Sequence, residues 1–176
     1  LENYYSVIPL RKFRGTSKVS FYNVPVIDNL SAIDLVINKE NAYSPGSIND
    51  ILRPWYYHPH QEDNLFVTNG RRIVDLYRIG RGSIETFEVT PYFVKKVNLL
   101  EDGSTEDVKL LCDEPAILKW ETLVFHRVIT AEGGSASVNL AVHKEGFDIK
   151  TNFNVYDLSI ASDTFTVLRE GFKDQM

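Results

Sequence analysis

Two of the chain's four histidines stand one residue apart, in the stretch PWYYHPHQEDNLFVTNG from Pro54 to Gly70. In an extended chain residues i and i+2 project from one face, so His58 and His60 would hold their imidazoles side by side. Neutral imidazole is a common metal ligand and, titrating near neutrality, a general acid or base. Glu62 and Asp63 follow directly and bring a carboxylate to the same neighbourhood. Strict alternation from His60 favours Glu62. Pro59, however, removes a ladder donor and can force a bulge, so alternation leaves both acids open.

Such groups need strands to position them, and strand signals dominate. KVSFYNVPVI, NLFVT, RRIVDLY, IETFEVTPYFVKKVNLL, AILKW, TLVFHRVIT, SASVNLAVH, TNFNVYDLSI and DTFTVLR are rich in β-branched and aromatic residues and bounded by turn residues. Asn69-Gly70, between LFVT and RRIVDLY, is a strong hairpin signal. Glu101–Ser104 (EDGS) and Glu132–Ser135 (EGGS) mark two further turns. SAIDLVINKEN fits a short helix capped by Ser31 or, equally, a strand. The pattern predicts one all-β domain over residues 1–176, an antiparallel barrel or double sheet with few short helices.

Bulk properties narrow the function classes. A chain of 176 residues can bury a real core, and 43% hydrophobic with 24% charged residues is ordinary for a globular protein. A net charge of −5 argues against a nucleic-acid surface, which needs a basic footprint. Cys112 is the single cysteine, so neither an intrachain disulfide nor a cysteine metal cluster is expected, and a reducing cytoplasmic setting follows. The opening LENYYSVIPL does not read as a signal peptide, and no stretch reads as a membrane span. Exposed edges such as KVSFYNV or TNFNVYDL would be covered by pairing across a two-fold axis, which predicts a homodimer.

His58-Pro59-His60, the closing Gly70 and a third histidine, His126 in LVFHRVIT, together resemble the cupin superfamily. Its first motif reads G-x5-H-x-H-x3,4-E-x6-G, and its second carries a lone histidine about one barrel crossing later. Leu52 stands where the leading glycine would be, and Glu121-Thr122-Leu123 replaces the usual turn before the second motif. RPWYYHPHQEDNLFVTNGRRIVDLY is similar to the dTDP-sugar 3,5-epimerase and 3,4-ketoisomerase branch, the RmlC-like cupins. The resemblance implies a jelly-roll barrel, its core at residues 45–145, with a histidine-lined pocket for a sugar-like or carboxylate-bearing small molecule.

Three functions follow from that resemblance. The first is a pocket holding one divalent metal (Zn, Fe, Mn or Ni) through His58, His60 and His126, with Glu62 or Asp63 as the fourth ligand, a mixed N/O set that suits such ions. The second is a metal-independent epimerase or isomerase. There His58 or His60 would be the base, Tyr56 or Tyr57 would return a proton, and Arg53 or Arg127 would hold a diphosphate or polarise a carbonyl. Asp75 is the nearest guess for its aspartate. The third is a binding barrel without turnover. Gln61 and Asn64 would contact the ligand, although surface polarity explains either nearly as well. Trp55, Tyr56 and Tyr57 would stack on a ligand ring or seal a core. Arg127 should point away from His126, and His143, at a strand end, should be solvated.

Overall fold

The computed structural model describes residues 3–171. In chain order the strands are β1 (Tyr5–Pro9), β2 (Arg11–Gly15), β3 (Ser20–Asn23), β4 (Ala32–Asn38), β5 (Tyr43–Ser44), β6 (Trp55–Tyr57) and β7 (Gln61–Tyr77). They continue as β8 (Glu85–Val89), β9 (Val94–Leu99), β10 (Thr105–Cys112), β11 (Ala116–Trp120), β12 (Phe125–His143), β13 (Val155–Ser159) and β14 (Thr164–Arg169). One short helix, α1 (Ile149–Asn152), lies between β12 and β13. The fold is all-β: twelve strands join one antiparallel sheet, and β2 and β3 form a separate ribbon. No helix among the described residues is long and apolar enough to cross a membrane.

Two long strands organise the sheet. β7 and β12 pair antiparallel from Gln61↔His143 to Tyr77↔Phe125, and both bend midway. Gly70, with φ +77°, marks the bend in β7. Opposite it, residues 131–134 fall out of register between Thr130↔Arg72 and Ser135↔Gly70. The first half of β7 lies between β11 and the second half of β12, and the second half of β7 between β8 and the first half of β12. β12 likewise passes from β5 and β6 to β4. One sheet therefore divides into two leaves, β1-β11-β7-β12-β4 and β10-β9-β8-β7-β12-β6-β13-β14.

The bend also changes which residues face inward. Leu65 and Val67 before it, and Val74 and Leu76 after it, all pack in the core between the leaves. Odd positions give way to even ones because Thr68 is skipped between Ala136↔Asn69 and Ser137↔Val67, and a bulge displaces alternation by one residue. The leaves close on each other through Leu118 and Trp120 on one side and Phe87, Val89 and Val94 on the other. The outer face of the second leaf carries Trp55, Tyr77, Phe125, Tyr156 and Leu158. That of the first carries Ile117 and Leu140, with Tyr22 and Ile27 packed over them.

Several expectations change here. Asn69-Gly70 makes no hairpin, because β7 runs straight through it and the positive φ serves the bend. Glu132–Ser135 lies inside β12 as the opposing irregularity, whereas Glu101–Ser104 does turn the chain between β9 and β10. SAIDLVINKEN forms strand β4, and the Ser31 hydroxyl accepts from the His143 amide instead of capping a helix. β13 is no free edge, since β6 and β14 flank it. β3 is half of the separate ribbon.

At Gly70 a Cβ would meet the Gly134 carbonyl oxygen at 2.2 Å, whereas at Gly103, also at positive φ, it would meet nothing within 4 Å. Gly103→Ala should therefore cost only the left-handed backbone penalty of about 1–2 kcal/mol. Gly70→Ala must also displace backbone, and should lose distinctly more, on the order of 3 kcal/mol or beyond. Urea unfolding of the two variants checks the ordering, and equal losses would show that the bend is not fixed by this contact.

Candidate functional site

The leaves enclose a cavity of about 320 Å³. β6 and the turn after it contribute Tyr56 and His58; β7 contributes Gln61, Asp63, Leu65 and Arg72. Trp120 enters from β11, and His126, Val128, Ser137 and Asn139 from β12. This set follows the parity change, odd before the bend and even after it on β7, and the reverse on β12. Without that change His126 and Asn139 would project to opposite faces.

At its centre His58, Asp63 and His126 come together, each buried, with one ligand atom apiece and all three atoms within 4.8 Å of one another. Both rings are pinned from behind. His58 Nδ1 lies 2.6 Å from the Asn152 carbonyl oxygen, and His126 Nδ1 3.2 Å from that of Val124. A carbonyl can only accept, so in each neutral ring the proton sits on Nδ1 and the Nε2 lone pair faces inward. The two Nε2 atoms stand 3.7 and 3.9 Å from Asp63 Oδ2. Those distances are too long for hydrogen bonds.

Asp63 is held just as firmly. Its Oδ1 accepts from Gln61 Nε2 and from Asn139 Nδ2, both at 2.7 Å. Gln61 is fixed in turn by Asn152, whose Nδ2 donates to Gln61 Oε1 at 3.0 Å. α1 thus supports the site twice, through the Asn152 carbonyl and its side chain. Oδ2 alone is buried with no hydrogen-bond partner. Three inward acceptor atoms converge there, an arrangement that suits a positive charge; the Trp120 ring lies 5.0 Å from that of His126, its buried Nε1 also without a partner.

The expected side-by-side pair does not form. His58-Pro59-His60 is a turn between β6 and β7, not a strand, so the i, i+2 rule does not operate, and His60 is exposed with its ring against Gly146. Glu62 takes the opposite face of β7, where it pairs with Lys144 at 2.8 Å and Lys119 at 3.5 Å, so Asp63 is the acid beside the imidazoles. Asn64 shares the outer face and donates to the Leu140 carbonyl. Tyr57 also faces outward, stacked on Phe125 at 4.4 Å. Tyr56 and Gln61 do line the cavity.

Arg53 and Arg127 both bind Asp75, at 3.0 and 2.8 Å, and Arg127 also covers the Trp55 ring; none of these four lines the cavity. His143 stacks on Phe147 at 3.6 Å and is half-buried rather than solvated. Sequence reasoning missed Asn139, Asn152, Trp120 and Arg72. Only Arg72 carried a signal, a cation inside an apolar strand pattern.

No protein-family model matches the sequence, and a search of curated proteins returns no match. The fold has known counterparts. QdtA, a sugar 3,4-ketoisomerase from Thermoanaerobacterium thermosaccharolyticum solved with TDP, superposes with a TM-score of 0.54 at 11% identity over 84% of this chain and 85% of its own. A mutant of the same enzyme, in complex with TDP-4-keto-6-deoxyglucose, gives 0.54 at 12% identity over the same shares. The chain therefore has the fold of the RmlC-like cupins.

Burial, and next the neighbouring His58, push the His126 pKa down from 6.5 to about 4. Between those values the unfolded chain binds more protons than the folded one, so stability is lost as pH falls through this window. In chelator-treated protein the urea midpoint should drop from pH 6.5 to pH 4, and His126→Gln should flatten the part of the slope that this ring contributes. An unchanged slope in the variant would rule out the buried neutral imidazole as its source.

Proposed function

We propose that the chain is a small-molecule-binding cupin whose pocket is centred on one divalent metal held by His58, Asp63 and His126. The observation that carries this reading is the unpartnered Asp63 Oδ2 facing two inward imidazole lone pairs. A water molecule could donate to two of the three acceptors but not to all of them. A cation serves all three; donors sharing one ion at ~2.1 Å stand roughly 3–3.5 Å apart, so the Nε2 atoms, now 3.7 and 3.9 Å from Asp63 Oδ2, would draw in slightly around it. Two imidazoles and one carboxylate leave positions open for ligand and suit Zn, Fe, Mn or Ni. When bound, the ion would supply Lewis acidity toward a ligand oxygen. The protein's own part is orientation: two backbone carbonyls fix the ring tautomers, Gln61 and Asn139 aim the carboxylate, and Tyr56 with Trp120 walls the site.

A second reading is supported by the fold's likeness to sugar ketoisomerases and by Tyr56, which lies 6.2 Å from the His58 ring and 5.9 Å from that of His126. Without metal, an inward Nε2 would take a proton from the carbon beside a sugar ketone, with the electron pair moving to the ketone oxygen. Reprotonation at the former carbonyl carbon, with loss of the neighbouring hydroxyl proton, moves the carbonyl one carbon along. Nothing is oxidised or reduced overall.

The homodimer belongs to this proposal too, with its seam at β4. Ile33, Leu35 and Ile37 alternate outward there and are exposed, and among the described residues β4 pairs on one side only, with β12. A second copy would cover both features. Leu35→Glu should convert a dimer into a monomer by sedimentation; a wild-type monomer at micromolar concentration would end this part of the proposal.

Metal analysis of protein purified without a nickel column should give one equivalent of metal. Asp63→Asn should abolish binding while leaving stability unchanged or raised, because an amide N–H placed at Oδ2 can donate to an Nε2. His60→Ala and Glu62→Ala should keep the metal. Absence of metal, together with deuterium wash-in beside the ketone of a nucleotide-linked 4-keto sugar, would select the second reading.

A further inference from the structure

Arg72 is only 3% exposed and lines the same cavity. On β12 the pair Thr130↔Arg72 lies four residues from His126↔Leu76, roughly 13 Å along the strands. Its Nε donates to Ser135 Oγ at 2.8 Å, one terminal nitrogen to Ser137 Oγ, and the other to the Val36 carbonyl at 3.1 Å. All three acceptors are neutral. No carboxylate among the described residues forms an ion pair with it, whereas Arg127, on the opposite face, binds Asp75 and Arg71 binds Glu88. A buried charge without a counter-ion is costly, and burial pulls its pKa down to about 10. Five guanidinium donors also outnumber the three acceptors present.

A second unpartnered donor lies in the same wall: Trp120 lines the cavity, and its Nε1 is buried without an acceptor. The cavity thus has an acceptor cluster at His58, Asp63 and His126, with the Trp120 ring 5.0 Å from that of His126, a surplus of donors at Arg72, and Leu65 and Val128 as apolar wall.

We infer that Arg72 anchors the anionic group of the ligand and that this group is a carboxylate. The inference rests on the reading of this cavity as the ligand site. The ligand is a small carboxylic acid, its carboxylate on the Arg72 guanidinium and its body reaching toward the imidazoles. Arg72 is the one Arg or Lys among the lining residues, and the two lining carboxylates, exposed Asp34 and buried Asp63, form no ion pair with it. One positive charge balances one carboxylate, whereas a phosphate dianion would call for a second cation. The planar fork also matches a carboxylate with two parallel hydrogen bonds.

Calorimetric titration of wild type and Arg72→Gln with glutarate, 1,5-pentanediol and inorganic phosphate tests the assignment, each with chelator-treated protein and again with Mn(II). Glutarate should bind wild type at least about tenfold more tightly than the diol or phosphate, and Arg72→Gln should lose at least that factor. The variant should bind Mn(II) alone as wild type does. Absence of glutarate binding, equal binding of the diol, tighter binding of phosphate, or an unaffected Arg72→Gln would each overturn the inference. Glutarate binding lost on Arg72→Gln without any Mn(II) binding would retire the metal centre and keep the anchor; Mn(II) binding without glutarate binding would do the reverse. Should Arg72→Gln fail to fold, the terminal Nη–H resonances of Arg72 in wild type must shift on addition of glutarate, and resonances that stay fixed refute the contact.

Discussion

The structure depends on a bend shared by two paired strands. β7 and β12 each cross from one leaf to the other, and each changes the parity of its inward face on the way. Gly70 makes this possible because its backbone approaches the Gly134 carbonyl too closely for any side chain. Pairing on both sides of the bend ties the leaves together, so the cavity between them has walls from both. A hairpin at the same place would have ended the strand, and β7 would not have crossed from one leaf to the other.

Within that frame the polar groups are sorted by hydrogen-bonding sense. Backbone carbonyls behind His58 and His126 take the ring protons and turn the lone pairs inward. Amide donors from Gln61 and Asn139 use one oxygen of Asp63 and leave the other bare. Arg72 and the Trp120 indole are donors left over in the same cavity. His58, Asp63, His126 and Arg72 are each held by hydrogen bonds from one side while at least one inward polar atom is left unmatched. Folding alone gains nothing from such an arrangement, since every unmatched buried polar atom costs free energy. Binding sites are where proteins tolerate that cost.

The outer faces contrast with this. Asp75 is as buried as Asp63 but is saturated by Arg53, Arg127 and Thr86. Glu62 is neutralised by two lysines at the surface. Neighbouring residues on one strand therefore meet opposite fates, fixed by which side of the sheet they occupy. The same test separates buried Arg72 from half-buried Arg127, of which, among the described residues, only Arg127 forms an ion pair.

The sequence by itself determined the all-β class, most of the strands, the cupin likeness and His58 and His126 as candidates, which the fold brings together, because β-branched runs, turn residues and rare imidazoles are local signals. It placed the acid only to within two residues, since alternation needs a starting point and His60 proved to lie in a turn. Asn-Gly read as a reversal because its positive φ is a local property, whereas its use as a bend depends on a partner strand more than sixty residues away. Asn139, Asn152 and Trp120 had no local mark of function, and Arg72 only that of a cation inside an apolar strand pattern. Their roles arise from which hydrogen bonds remain unmade after packing, a property of the folded whole that only the tertiary structure decides.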